Sequence, residues 1–495
     1  MAWLMDHCIA FLAAAPIFTR AAAPQKVRQA AVAGGFYPAD PKAISAMIGD
    51  MLAGVTPQPV EGPILAAVVP HAGYPYSGPV AACTYAALKD RKYARVVVIA
   101  PSHFVAFGFT SVYDGDAYTT PLGLIPVDKE FASQLAKMNP TIQLSDKGHA
   151  PTYAGAEHAI EVQLPWLQTV LGNFELVPII MGDQSYESSR ALGVALAKLI
   201  HNGDTLILAS SDLSHYHPYA EAESIDHKTL GALAEWDYFN MARNFQTRVW
   251  EACGGAPIVA AMIAAERMGE NQAMVLKYLN SGDTSGDHSR VVGYCADLFV
   301  KSPSAAAAET PFSLTEQEKS ELLAVARSSV ESTVRDKRPY ESEAPASESL
   351  NREYGAFVTI TEGNRLRGCI GYTSPIEPLY ITVRDTAAMA ATRDPRFPSV
   401  TAAELPQLSY EISVLSPLRH VADPEEIQVG RDGLLIKNGR HEGLLLPQVP
   451  VEQRWDRQRF LEGTCAKAGL NHDCWKDENT DIFRFTAVIF GEHRR

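Results

Sequence analysis

The hydrophobic positions of the chain fall into short, unbroken apolar runs, several of which stop at a residue able to do chemistry. Residues 64–69 run into Pro70-His71, residues 96–100 into Pro101-Ser102-His103, and residues 206–209 into Ser210-Ser211-Asp212-Leu213-Ser214-His215. Continuous β-branched runs of this length predict strands buried on both faces of a parallel sheet. Ligands of open α/β sheets collect beyond the carboxyl ends of such strands. His71, His103, Asp212 and His215 are therefore expected on one rim, which is the candidate site.

Between these runs the pattern turns helical. Asp40 with Pro41 starts a helix through residue 52, and further helices are predicted over 79–88, 188–201, 237–245 and 258–268. The glycines of the loop His71 to Gly78 allow a close backbone approach to a ligand, which makes Tyr74 a candidate substrate contact. Residues 154–171 read as one helix, with Glu157 and Glu161 on one face by i,i+4 spacing and His158 beside them. Such an acidic face reads as solvated surface, but Glu157-His158 after a glycine-rich loop also permits a contact with substrate. Strands over 176–181 and 290–296 complete an alternation that defines an α/β domain over residues 27–300.

The Ser/Pro/Ala-rich stretch 301–312 reads as a linker. Ser313-Leu314-Thr315-Glu316 then reads as a capping box opening a helix to about residue 334. Strands over 356–361, 369–372 and 409–415, a helix over 379–392, a hairpin over 433–446, a helix over 454–468 and a last strand over 482–489 make 313–495 a smaller α+β domain.

Composition sets limits. The 495 residues exceed what one core holds, the net charge is −14, and no long basic run occurs, so a nucleic-acid partner is not expected. A hydrophobic fraction of 46% fits soluble domains and not a membrane protein. Seven cysteines without a CxxC pair indicate neither a disulfide framework nor a thiolate zinc cage. No GxGxxG or GxxxxGK string occurs, so no nucleotide cofactor is expected. Residues 1–26 form an extension in which 1–23 is apolar and alanine-rich but carries Asp6 where a signal peptide has Lys or Arg. The expected location is cytoplasmic, with export as the alternative.

Two imidazoles and one further donor suffice for a catalytic transition metal with open positions. His71 and His103 are the best pair, and Cys253, Asp212 or Glu157 could supply the third donor. Asp212 and His215, three apart, can share a hydrogen bond that suits proton transfer. In the second half Arg367 could offer a bidentate fork to an anion, and Cys369 beside it is a candidate reactive group.

His71-Ala72-Gly73-Tyr74, Pro101-Ser102-His103, Glu157-His158-Ala159-Ile160-Glu161, Ser210 to His215 and Cys253-Gly254 stand in the order and spacing of the MEMO family, which resembles the extradiol non-haem iron dioxygenases. The resemblance implies metal ligands His71, His103 and Cys253, with Asp212 and His215 beside an iron, or alternatively a copper. Cys253 stands where the dioxygenases carry a carboxylate ligand. Leu366-Arg367-Gly368-Cys369-Ile370-Gly371, Asp394-Pro395-Arg396-Phe397 and residues 411–415 resemble the AMMECR family. Proteins like the two halves belong to a three-part system whose third member resembles a radical SAM activating enzyme, so that enzyme is the partner the resemblance implies, together with contact between the two halves. Arg290-Val291-Val292-Gly293-Tyr294 resembles the glycine site of glycyl radical enzymes, which would put a radical on Gly293 and a thiyl on Cys253. A metal-binding scaffold without catalysis is the remaining alternative.

Overall fold

The computed structural model describes residues 26–301 and 313–492, apart from Ala154, Asn202, Asn364, Ser374 and Pro375. The apolar N-terminal extension through residue 25 and all but the first residue of the linker lie outside these.

The first half is built on a nine-stranded sheet. Its strands in chain order are β1 (Ile64–Val69), β2 (Arg95–Pro101), β3 (Thr110–Tyr113), β4 (Ile142–Ser145), β5 (Glu175–Met181), β6 (Thr205–Ser210), β7 (His215–His217), β8 (Gln272–Asn280) and β9 (Val291–Val300). The spatial order is β7-β9-β1-β6-β2-β5-β3-β4, with β8 on the outer side of β9. Strands β1, β6, β2 and β5 run parallel at the centre. Their residues are almost all buried, as unbroken apolar runs demand. Strand β9 lies antiparallel to β1 through Asp297 to Val300 and to β7 through Val291 and Val292. That arrangement turns the segment after β6 back across the rim.

The predicted helix over 154–171 is not one helix. Gly155 has φ 151°, which an α-helix does not admit, and the helix begins only at Leu164–Leu171, with Pro165 in its first turn and a short 3-10 turn, Glu161–Gln163, before it. Glu157 and Glu161 thus share no helix face, and both are buried instead of solvated. The helix predicted from residue 79 starts earlier, at Tyr74–Leu88.

In the second half the helix Leu379–Thr392 lies where the pattern places it. The capping box is two residues later than predicted: Thr315 caps the helix Glu316–Glu331, and Glu318 closes the box. Two four-stranded antiparallel sheets follow. The predicted final strand is in fact two, Asp481–Phe485 in one sheet and Ala487–Gly491 in the other, so the chain changes sheet at Thr486. Cys465 and Cys474 form a disulfide, which the absence of a CxxC pair did not suggest.

The halves share a hydrophobic core. Leu415, Leu418, Leu435, Phe483 and Phe485 pack with Tyr238, Phe239 and the helix Gly255–Arg267. Buried beside them, Asp481 accepts from Tyr186 Oη at 2.7 Å and Arg190 Nε at 2.5 Å, and lies 3.3 Å from Arg267. Breaking one partner of such a buried network leaves a desolvated charge, so the network also fixes how the halves sit.

Candidate metal centre

His71 follows β1, His103 follows β2, and Asp212 follows β6, so three adjacent strands deliver their polar residues to one rim. Cys253 arrives from the loop before the helix Gly255–Arg267. A Cβ on the next residue, Gly254, would lie 2.4 Å from Ser210 O, so only glycine lets this loop settle on the end of β6. The Cys253 N–H then donates to Asp212 O at 3.2 Å, and the Asp212 N–H points at Cys253 Sγ at 3.3 Å.

His71, His103 and Cys253 each present a ligand atom, and the three atoms lie within 4.8 Å of one another. Cys253 Sγ is 3.1 Å from His71 Nε2. The hydrogen bonds around the rings determine which nitrogens are open. Ser210 Oγ donates to Ala159 O at 2.6 Å and accepts from Gln163 Nε2 at 2.8 Å. Its one proton is therefore committed, so at the 3.0 Å contact with His71 Nδ1 the imidazole must donate. Glu157 receives both the His103 N–H at 2.8 Å and His103 Nδ1 at 3.0 Å. An ionised carboxylate only accepts, so this Nδ1 carries its proton too. Both rings keep an Nε2 lone pair, the arrangement usual for metal-bound imidazoles.

The electrostatics agree at His71, whereas at His103 they favour the imidazolium until a cation takes the Nε2 lone pair. Burial, with His103, His158 and His215 around it, pushes His71 well below the ordinary imidazole range, which keeps it neutral. Burial opposes a charge on His103, but the Glu157 carboxylate outweighs it and raises the pKa. Burial and the nearby Asp212 carboxylate raise the Cys253 thiol, so without a cation it holds its proton. Burial also lifts Asp212 to about 7, while its Oδ1 accepts the His71 N–H at 2.8 Å. A divalent cation reverses this balance by favouring the thiolate and the carboxylate. One sulfur and two imidazole nitrogens suit a transition metal of intermediate softness.

His158 stacks on His103 at 4.9 Å between ring centres, and burial, then His103, lowers its pKa to about 4. His103, Glu157 and His158 form a second cluster of donors that shares His103 with the first. His215 opens β7; its Nδ1 lies 2.8 Å from Leu213 O and burial lowers its pKa. The proton on Nδ1 meets that carbonyl and leaves Nε2 able to accept.

Other candidates go elsewhere. Tyr74 is buried and donates to Val162 O at 2.8 Å, so it is a core residue and not a substrate contact. Gly293 is buried in β9, with its N–H on Ser214 O and its carbonyl accepting from Leu213 N–H. A Cβ there would fall 1.9 Å from Asp226 Oδ2, so close packing by a carboxylate accounts for the glycine. Arg367 does not offer an open fork: Nε bonds Glu404 at 2.7 Å and Nη1 bonds Pro398 O at 2.7 Å. Cys369 is half-buried; its N–H donates to Asp394 at 2.8 Å, and Thr359 Oγ1 donates to its sulfur at 3.3 Å. Neither lies with the metal cluster.

Sequence reasoning missed the supports. Arg28 pairs with Glu161 and reaches Glu157 O, while Glu161 accepts from the Ala31 and Val32 N–H groups and from Tyr37 Oη at 2.6 Å. Ser210 and Gln163 hold His71, and Glu251 bonds the His215 N–H and His217. The partners of Arg28 and Ser210 are far away in sequence, and no local spacing signals them.

A sheet that ends in a His-His-Cys cluster, joined to an α+β domain, defines the class, and family comparison agrees. The chain belongs to the family described as Memo-like protein, whose model matches residues 28–298, and the AMMECR1 model matches residues 323–490. MEMO1 family proteins of Methanopyrus kandleri and Sulfolobus acidocaldarius are each 36% identical, over 55% of this chain and 98% and 99% of their own lengths. A protein of Thermococcus kodakarensis is 49% identical over 34% of this chain and 88% of its own. An uncharacterized protein of Pyrococcus horikoshii with a crystal structure is 41% identical, covering 37% of this chain and 95% of that one, with a TM-score of 0.35.

Proposed function

We propose that the N-terminal half is a metal-dependent redox enzyme of the non-haem iron type, with His71, His103 and Cys253 holding the ion. One observation carries this reading: three donor atoms converge within 4.8 Å while hydrogen bonds on both Nδ1 atoms aim the free lone pairs inward. A bound iron, or copper in its place, would supply one-electron chemistry and Lewis acidity toward a substrate seated at the rim. The chain's own residues do the rest. His215 holds an open Nε2 for taking up a proton, Asp212 fixes the His71 backbone through its N–H, and Glu157 holds the Nδ1 proton of His103 while His158 stacks on that ring. The resemblance of the halves to members of one three-part system supports a radical SAM enzyme as partner. The close packing of Asp226 on Gly293 supports the metal cluster over Gly293 as the redox centre.

The test is elemental analysis of anaerobically purified protein. Wild type should hold close to one equivalent of iron or copper, and His71→Ala and His103→Ala should each lose it. Full retention in both variants overturns the reading. Incubation with the radical SAM enzyme, reductant and S-adenosylmethionine tests the partner separately: reductive cleavage of S-adenosylmethionine should be faster with the full chain than without it, and an unchanged rate overturns the partnership.

A further inference from the structure

Away from the metal cluster, the two halves enclose a cavity of about 740 Å³. One wall is the helix Tyr219–Ala234 with Glu235, Asp237 and Trp250; the other is the segment from Glu348 to Gly355 and the turn Leu415 to Pro417. The volume is that of a small-molecule site, and domain boundaries are where such sites are frequent. Neither half forms it alone.

Its chemistry is selective. Four carboxylates line it, Glu235, Asp237, Glu348 and Glu353, against two long cations, Lys228 and Arg352. Both cations are engaged, Lys228 with Glu353 at 2.6 Å and Arg352 with Glu348 at 2.9 Å. Asp237 has no ion-pair contact among the described residues, although Arg419 lies near it; its oxygens accept from Asn240 and from the Leu418 N–H, and a carboxylate has lone pairs for more. Trp250 and Tyr354 supply aromatic surface, and their polar ends are turned to carboxylates, Trp250 Nε1 to Glu353 at 3.0 Å and Tyr354 Oη to Glu235 at 3.5 Å. Aromatic walls with surplus negative charge favour an organic cation and disfavour an anion.

We propose that this cavity between the halves is a binding site for a small amphipathic amine, its ammonium among Glu235, Asp237 and Glu353 and its apolar body against Trp250 and Tyr354. The occupant bridges the two domains, so it ties the geometry of one to that of the other.

Gly231 provides the test. It lines the cavity from the helix, and a Cβ added there meets nothing within 4 Å, so a side chain placed there starts into open space. Calorimetric titration of the full chain compares tryptamine with indole-3-propionate, probes of similar body and opposite charge. Tryptamine should bind saturably and at least tenfold more tightly. Gly231→Trp should weaken it tenfold or more with the melting temperature kept, and Glu235→Gln should weaken it several-fold. His71→Ala should leave the affinity as in wild type, which separates this site from the metal cluster. Equal binding of both probes, no binding of tryptamine, or full affinity in Gly231→Trp would overturn the proposal.

Discussion

The rim after β1, β2 and β6 and the strand Arg365–Tyr372 in the other half are alike in composition and opposite in what they leave open. Each gathers a cysteine, acids and bases within a few ångströms. At the rim, bonds from Ser210 and Glu157 occupy the outer nitrogens of His71 and His103, and the inner ones converge with Cys253. On Arg365–Tyr372 the reactive groups satisfy one another: Arg367 with Glu404, Asp394 with Arg396, and Cys369 through its N–H with Asp394. Atoms left for a ligand, more than residue types, separate a site from a brace.

The largest way to break this contrast is to loosen the rim's support. Arg28 and Glu161 are a fully buried pair, and Arg28 also donates to Glu157 O, on the segment that anchors His103. Removing one member of such a pair costs roughly 3–5 kcal/mol, because the other charge stays buried. Arg28→Met should therefore lower unfolding free energy by about that amount in denaturant melts and weaken metal binding with it. Metal binding that survives unchanged would show that the rim does not depend on this brace.

Proton linkage separates the halves next. Asp297 is buried in β9 with neither carboxylate oxygen hydrogen-bonded in good geometry, and burial raises its pKa to about 8. A folded value above the unfolded one means that the fold favours the protonated acid. Its contribution is full below about pH 4 and is lost as pH rises toward 8. Glu404 is the reverse: Arg367 holds its pKa near about 2, so its contribution is present above about pH 4 and fades as pH falls through 2. Asp297→Asn should recover about 2–4 kcal/mol at pH 7 and nearly nothing at pH 4. Equal effects at both pH values would contradict the assignment.

Glu157→Gln sharpens the contrast at smaller cost. The amide can still meet the His103 N–H, but it no longer fixes the ring's proton on Nδ1 with a charge. Losing an outer partner of a metal-bound imidazole weakens affinity about 10–100-fold. Competition titration against a chelator reads this directly, and an unchanged affinity would remove Glu157 from the site.

What the sequence disclosed follows from where its information is local. The strand Ile64–Val69 and the helix Leu379–Thr392 have the predicted bounds because unbroken apolar runs and 3.6-residue periodicity need no distant partner. The rim was legible because a buried strand ending in His or Asp has few other reasons to do so. The pattern failed where tertiary bonds decide. Ile160, Leu164, Leu167 and Leu171 keep helical spacing, yet Gly155 and Pro165 confine the helix to its second half, and Glu157 is held by His103, 54 residues away in sequence. Strands β3, β4 and β8 were not predicted, since two are four residues long and the third is a half-buried edge. The break at Thr486 is invisible in an apolar run that serves two sheets in succession.

The smallest effect completes the comparison. Arg367 and Glu404 are mostly covered, at 13% and 23% side-chain exposure, but not fully desolvated, so their pairing contributes less than the Arg28–Glu161 pair. In Arg367→Ala, Glu404 keeps the Thr401 N–H and hydroxyl, both at 2.7 Å, which limits the loss to about 1 kcal/mol. Metal content should stay as in wild type. Because Glu404 then lacks its guanidinium, its pKa should rise toward that of an ordinary glutamate, and the fall in stability between pH 4 and pH 2 should flatten. Denaturant melts across that range, run beside metal analysis of the same preparations, read both. Loss of metal in Arg367→Ala would mean that the second half reaches into the rim's chemistry, and the distinction between site and brace would have to be redrawn.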